Sequence, residues 1–145
     1  MSKKEKQFGR KIYIIEDASH ALGSCYKKNP VGNCRFSDMA VLSFHPVKHI
    51  TTAEGGAILT NNKELYRKAC YFRSHGITGF PEEFADQQEG FEEVKGKGLM
   101  KKPWYYEQLY LGYNYRITDI QCALGISQLR KLVMFKERRR EIWNL

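Results

Sequence analysis

Several features are missing from this sequence, and each absence narrows what the chain does. No apolar run approaches the roughly 20 residues that a membrane-spanning helix needs, so no membrane span is expected. The four cysteines, Cys25, Cys34, Cys70 and Cys122, include no C-x-x-C pair, which removes the usual metal-knuckle and dithiol signatures. The start, MSKKEKQFGRK, is basic but has no apolar stretch of the signal-peptide kind. Secretion is therefore not expected, and the thiols are expected to be reduced in a cytoplasmic setting. No internal repeat or low-complexity tract is visible. The charge is one-sided, 24 Lys+Arg against 16 Asp+Glu for a net +8, and its local runs are MSKKEKQFGRK and KERRRE. Neither run interleaves aromatics at a stacking spacing and no recognition motif accompanies them, so they read as solvated surface rather than a nucleic-acid interface.

What is present is a globular composition: 145 residues, 42% hydrophobic and 13% aromatic, enough for one domain with a real core. Lys11–Ile15 (KIYII) predicts a buried strand ending at Glu16-Asp17, and ASHALG predicts a short helical turn closed by Gly23. Tyr26–Asp38 carries turn chemistry at Asn29-Pro30 and Gly32-Asn33. MAVLSF and GGAILT predict two further strands. Asn61 with Glu64 resembles a capping box, followed by a helix with Leu65, Ala69 and Phe72 on one face and Gly76 at its end. Gly79–Tyr106, Gly- and charge-rich without clear period, predicts a long excursion. Thr118 with Gln121 is a second capping box, opening one long helix that runs to the last residue. Alternating strands and helices predict an α/β fold, and about three recognisable strands are few for such a sheet, so it is expected to be incomplete.

The chemistry concentrates at strand ends. Asp17 ends the first strand and Lys48 follows MAVLSF by way of Ser43, and open α/β sheets bind their ligands at the carboxyl ends of strands. From the residues alone, an ion pair or unrelated surface groups account for Asp17 and Lys48 as well as a lysine Schiff base with an acid on a pyridinium nitrogen does. A lysine that acts as nucleophile must lose its proton, which a tight glycine-backed turn favours over an open helix face. His45 and His49 have the i, i+4 spacing of a metal pair. Pro46 between them argues against a helix and no third ligand is evident, so no metal is expected.

IEDASHALGS, SFHPVKHITTAEGGAILT, FRSHGI and LGYNYRITDIQCALGISQL, in that order and spanning Ile12 to Leu129, together resemble the DegT/DnrJ/StrS family of sugar-nucleotide aminotransferases. The resemblance implies a fold-type I aminotransferase using pyridoxal 5′-phosphate (PLP), with this chain forming part of the large PLP-binding domain, a three-layer α/β/α architecture. It implies that residues 1–117 are the central part of that domain and that 118–145 are a long helix leading toward a small C-terminal domain. GSCYKKNPVGNCRFSDMAVLSFHPVKHITTAEGG and YEQLYLGYNYRITDIQ resemble the pseudaminic-acid branch. That branch implies transfer of an amino group from L-glutamate to C4 of a UDP-4-keto-6-deoxy-N-acetylhexosamine, a nucleotide sugar.

Carried over position by position, Lys48 is the Schiff-base lysine and proton shuttle, and Asp17 pairs with the pyridinium nitrogen. His20 lies at the cofactor's 3′-oxygen and Ser43 at its phosphate. Asn114 reaches across a homodimer to the partner's cofactor phosphate. Arg116 and His75 are candidates for substrate contact, and an intramolecular ion pair for Arg116 or a helix-end role for His75 stays open. Trp104, Tyr105, Tyr106, Tyr110, Tyr113 and Tyr115 suit contact with sugar or uracil, or packing and a subunit interface. The family pattern also places a phosphate-cradling helix start and a ring-stacking aromatic upstream of the Asp17 block. Neither has a candidate position among these residues, and the small C-terminal domain is not expected within them either. The expected alternative is thus an incomplete copy that folds or dimerises without activity.

Overall fold

β-Branched and apolar residues pair into a small sheet near the start of the chain. In the computed structural model, which describes residues 7–145, β1 spans Ile15–Asp17, β2 Cys25–Tyr26, β3 Asn29–Pro30, β4 Met39–Ser43 and β5 Gly56–Leu59. β4 is central: β1 runs parallel to it on one side and β5 antiparallel on the other. Asp17 stands opposite Val41, and Ser43 opposite Gly56. β4 shows the period of 2 expected of a half-buried strand, with Ala40 and Leu42 buried between more open neighbours. Ala18, Ile50 and Thr52 join them in the core.

The first strand starts later than KIYII predicts, and that run is not buried: Ile15 keeps 63% of its surface. The reason is local. The Ile14 amide donates to the Asp38 carboxylate at 2.9 Å instead of entering a ladder, and β1 is an edge strand. ASHALG forms no helix but two successive turns, closed by Ala21 N–H to Ala18 O and Ser24 N–H to Ala21 O, both 2.9 Å. β2 and β3 are a tight hairpin whose two turn residues, Lys27 and Lys28, both have positive φ, the geometry of a primed turn.

Helix α1, Lys63–Arg73, is capped one residue later than predicted. The Asn62 carboxamide, not that of Asn61, accepts the amides of Glu64 (2.9 Å) and Leu65 (3.1 Å). The predicted long terminal helix is two helices, α2 (Asp119–Leu129) and α3 (Leu132–Trp143). The Thr118–Gln121 capping box is present in both halves. The break falls where the turn tightens: Lys131 N–H donates to Gln128 O, three residues back, at 3.0 Å. Among the described residues no helix is long and apolar enough to cross a membrane.

The chain divides into two units. The first comprises the described residues up to Tyr66 together with Ile117–Leu145, and the second is Arg67–Arg116, so α1 carries the chain from one to the other. The second unit holds the whole of the predicted excursion, which is structured. β6 (Ile77–Thr78) pairs with β9 (Glu107–Gln108), and β7 (Phe91–Val94) forms a hairpin with β8 (Gly98–Lys101). A small aromatic core forms around Phe84, 5% exposed, with Tyr105 at 5.0 Å and Phe91 at 6.5 Å between ring centroids. The architecture is α/β with an incomplete sheet, as the sequence predicts.

Candidate active site

The parallel pair β1–β4 places two chain segments side by side where the strands end. Asp17 is the last residue of β1, and Ser43 the last of the adjacent β4. The chain leaving β1 turns through Ser19 and His20, and the chain leaving β4 turns through His45 to Lys48. Lys48 Nζ lies 2.6 Å from His20 Nε2. An ammonium at Lys48 donates to Nε2 of a neutral imidazole, and a free amine accepts from Nε2–H, so the contact orients the lysine in either protonation state.

Asp17 is exposed, yet its carboxyl is held below the usual carboxylate range. The Ser19 hydroxyl is the largest cause, followed by the Ser19 amide, which donates to Asp17 Oδ1 at 3.1 Å. His20 and Lys48 add electrostatic attraction in the same direction. An ionised carboxylate, an imidazole and an ε-amine therefore share one neighbourhood.

The turn that carries Lys48 is fastened along its length. Phe44 N–H donates to Gly55 O and Thr52 N–H to Phe44 O, both at 2.9 Å, closing the loop between β4 and β5. Inside it, Lys48 N–H donates to His45 O (2.9 Å), and Ser43 Oγ accepts the His45 amide at 3.4 Å. Thr52, 2% exposed, donates its hydroxyl to Glu54 O at 2.8 Å. Its methyl faces Gly125 of α2, where an added Cβ would lie 2.9 Å away. Gln121 Nε2 donates to the same Glu54 carbonyl at 2.9 Å. From α3, Arg139 Nη1 donates to His49 O at 3.4 Å, and Lys136 Nζ donates to Gly23 O. The capping box that starts α2 thus also braces the lysine loop.

His49, beside the lysine, has a different character. Its Nδ1 is buried without a hydrogen-bond partner, and burial lowers its pKa from the ordinary 6.5, with Arg139, His20, Lys136 and Lys48 repelling a further proton. His45 turns instead toward Glu54, with Nε2 to Oε1 at 3.9 Å. Among the described residues no group of three or more His, Cys, Asp or Glu side chains is placed to hold a metal ion.

Asp17, His20, Ser43 and Lys48 belong to the first unit, and His75, Asn114 and Arg116 to the second. Sequence reasoning missed the bracing roles of Thr52, Gln121 and Arg139. Only the Thr118–Gln121 box carried a local signal, and it pointed to a helix start rather than to the loop.

The donor set suits a group that carries an aldehyde, a basic ring nitrogen and an anionic arm: an amine to condense, a carboxylate held ionised, and hydroxyl and imidazole groups nearby. The DegT/DnrJ/EryC1/StrS aminotransferase family pattern matches residues 7–145. A UDP-4-amino-4,6-dideoxy-N-acetyl-beta-L-altrosamine transaminase of Campylobacter jejuni is 47% identical over 131 residues, 90% of this chain and 29% of that protein. Among solved structures, PseC of Helicobacter pylori, an aminotransferase involved in the biosynthesis of pseudoaminic acid, aligns with a TM-score of 0.67 at 38% identity. It matches 91% of this chain and 29% of its own. The PLP form of the putative sugar aminotransferase Spr1654 of Streptococcus pneumoniae aligns with a TM-score of 0.69 at 32% identity, over 99% of this chain and 32% of its own. The chain spans about three-tenths of the length of the relatives it matches.

Proposed function

We propose a function from one premise: the chain belongs to the DegT/DnrJ/EryC1/StrS aminotransferase family. The protein transfers an amino group from L-glutamate to C4 of a UDP-4-keto-6-deoxy-N-acetylhexosamine, using PLP. The observation that carries this reading is the Lys48 amine set 2.6 Å from His20 and within electrostatic reach of the ionised Asp17.

When bound, PLP supplies an electron sink that stabilises negative charge on the carbon next to the transferred nitrogen. Lys48 Nζ would hold the cofactor through its aldehyde and, when free, would move a proton between the substrate carbon and the cofactor carbon in each half of the reaction. Asp17 holds the ring nitrogen in its protonated form, and the Ser19 hydroxyl and amide keep Asp17 ionised for that task. His20 orients the Lys48 amine and takes the ring 3′-oxygen. Ser43 donates to the cofactor phosphate, and Asn114 reaches the phosphate of a second copy in a homodimer. Arg116 and His75 contact the nucleotide sugar. Support for the sugar comes from the Campylobacter jejuni relative and for PLP from the Streptococcus pneumoniae structure.

The test is turnover with PLP, L-glutamate and the 4-keto nucleotide sugar. Equimolar 2-oxoglutarate and 4-amino sugar nucleotide are expected, and none with Lys48→Ala. Equal turnover by Lys48→Ala, or none by a protein that has taken up PLP, contradicts the reading.

A further inference from the structure

Asn114 lies in a segment that crosses the end of α1 at unusually close range. Tyr113 N–H donates to Phe72 O at 2.7 Å, His75 N–H to Tyr113 O at 2.7 Å, and Tyr115 N–H to Arg73 O at 2.9 Å. Asn114 itself bridges Ser74, so backbone bonds grip the chain on both sides of it while its side chain stays exposed. Two glycines make the approach possible. A Cβ on Gly112 would overlap the amide nitrogen of Gly76 and lie 2.6 Å from the carbonyl carbon of His75. A Cβ on Gly76 would overlap the carbonyl of Tyr110, and Gly76 has a φ of +69. Ordinary neighbouring strands keep their Cα atoms about 4.5 Å or more apart, which leaves room for side chains. Here main chain meets main chain.

His75 is the second sign that this crossing is held on purpose. It is not a glycine, yet its φ is +60. The Tyr113 carbonyl accepts its amide, and Gln108 Nε2 donates to its carbonyl at 3.0 Å. A left-handed non-glycine residue persists only where its surroundings over-determine it, and such residues gather at functional sites.

We infer that Gly76 and Gly112 are positioning residues: their backbone contact sets where the Asn114 carboxamide stands when it meets the cofactor phosphate. The inference rests on the reading of Asn114 given above. A methyl at position 112 pushes the Tyr110–Tyr115 segment off α1 and moves Asn114 without altering its chemistry.

The test compares PLP with pyridoxal, which lacks the phosphate, by titrating each into the full chain. Asn114→Ala is expected to weaken PLP about tenfold, the usual worth of a hydrogen bond to a charged group, and to leave pyridoxal unchanged. Gly112→Ala is expected to do the same, with faster amide exchange at Tyr113 and Tyr115. Gly79→Ala, where a Cβ meets nothing within 4 Å, changes neither. Gln108→Ala removes one exposed bond at the crossing and keeps the positioning effect measurable if Gly112→Ala misfolds. It is expected to weaken PLP about twofold and leave pyridoxal alone. The inference is overturned if Gly112→Ala lowers PLP and pyridoxal affinity alike, or if Gln108→Ala leaves PLP unchanged. If Asn114→Ala has no effect on PLP, the phosphate role of Asn114 fails and the inference falls with it.

Discussion

Asp17 keeps its charge in the open, without burial or a close ion pair to hold it. A serine two residues on supplies both a hydroxyl and an amide, and His20 and Lys48 contribute at longer range. Replacing Asp17 with Asn keeps the shape and removes the charge proposed to hold the cofactor's ring nitrogen protonated. The expected loss in kcat is about 10² to 10³, the usual worth of one preorganised electrostatic contact. Steady-state kinetics of Asp17→Asn check this, and an unchanged kcat removes Asp17 from the chemistry. His49 makes a separate prediction for stability. Its folded pKa is depressed below 6.5, so below that value the unfolded chain binds more protons than the folded one. Stability is therefore complete above about pH 6.5 and falls as the pH drops through the folded pKa. Urea midpoints between pH 7.5 and 5.0 should decline in the wild-type chain and decline less in His49→Leu. Parallel declines would show that His49 does not titrate as described. The proximity of Asp17, His20 and Lys48 could be anticipated because each falls in a short motif at or after a strand end. The lowered pKa of His49 could not, since two of the charges that act on it, Lys136 and Arg139, come from α3, some 90 positions along the chain.

At the level of elements, the capping box at Thr118 does two jobs. It satisfies the first amides of α2, and through Gln121 it ties that helix to the Glu54 carbonyl of the lysine loop. Thr118→Ala removes the cap and is expected to cost about 1 kcal/mol in chemical denaturation. A cost near zero would mean that the helix start is held by other contacts. Both halves of this cap lie within four residues, which is why the sequence announces it. The break between α2 and α3 has no such signal: Arg130 and Lys131 are good helix formers, and the turn tightens there without a proline or glycine. The hairpin β7–β8 was also hidden. FEEV and GLMK lack the alternation of a strand with one buried face, and the pairing is set by the turn at Gly96. The shift of the α1 cap from Asn61 to Asn62 is a choice between two adjacent asparagines, which spacing alone does not resolve.

Over the whole molecule, apolar side chains remain on the surface in number. Ile14, Ile15, Val47, Leu111 and Trp143 are each more than half exposed, in a chain that spans about three-tenths of the length of its relatives. The homodimer proposed above predicts self-association. Sedimentation velocity should show a species larger than the 16.9 kDa chain, and a single monomeric boundary at micromolar concentration would contradict that expectation. The α/β class was readable from the order of strand and helix runs. The division into two units was not, because Gly79–Tyr106 shows no period that announces a core around Phe84.

The central claim is that Lys48 carries the cofactor, and borohydride reduction followed by peptide mapping tests it most directly. Incubated with PLP and reduced, the chain should yield one pyridoxyl-labelled peptide, the one containing Lys48, and Lys48→Ala should yield none. Label at another lysine, undiminished in Lys48→Ala, would contradict the account.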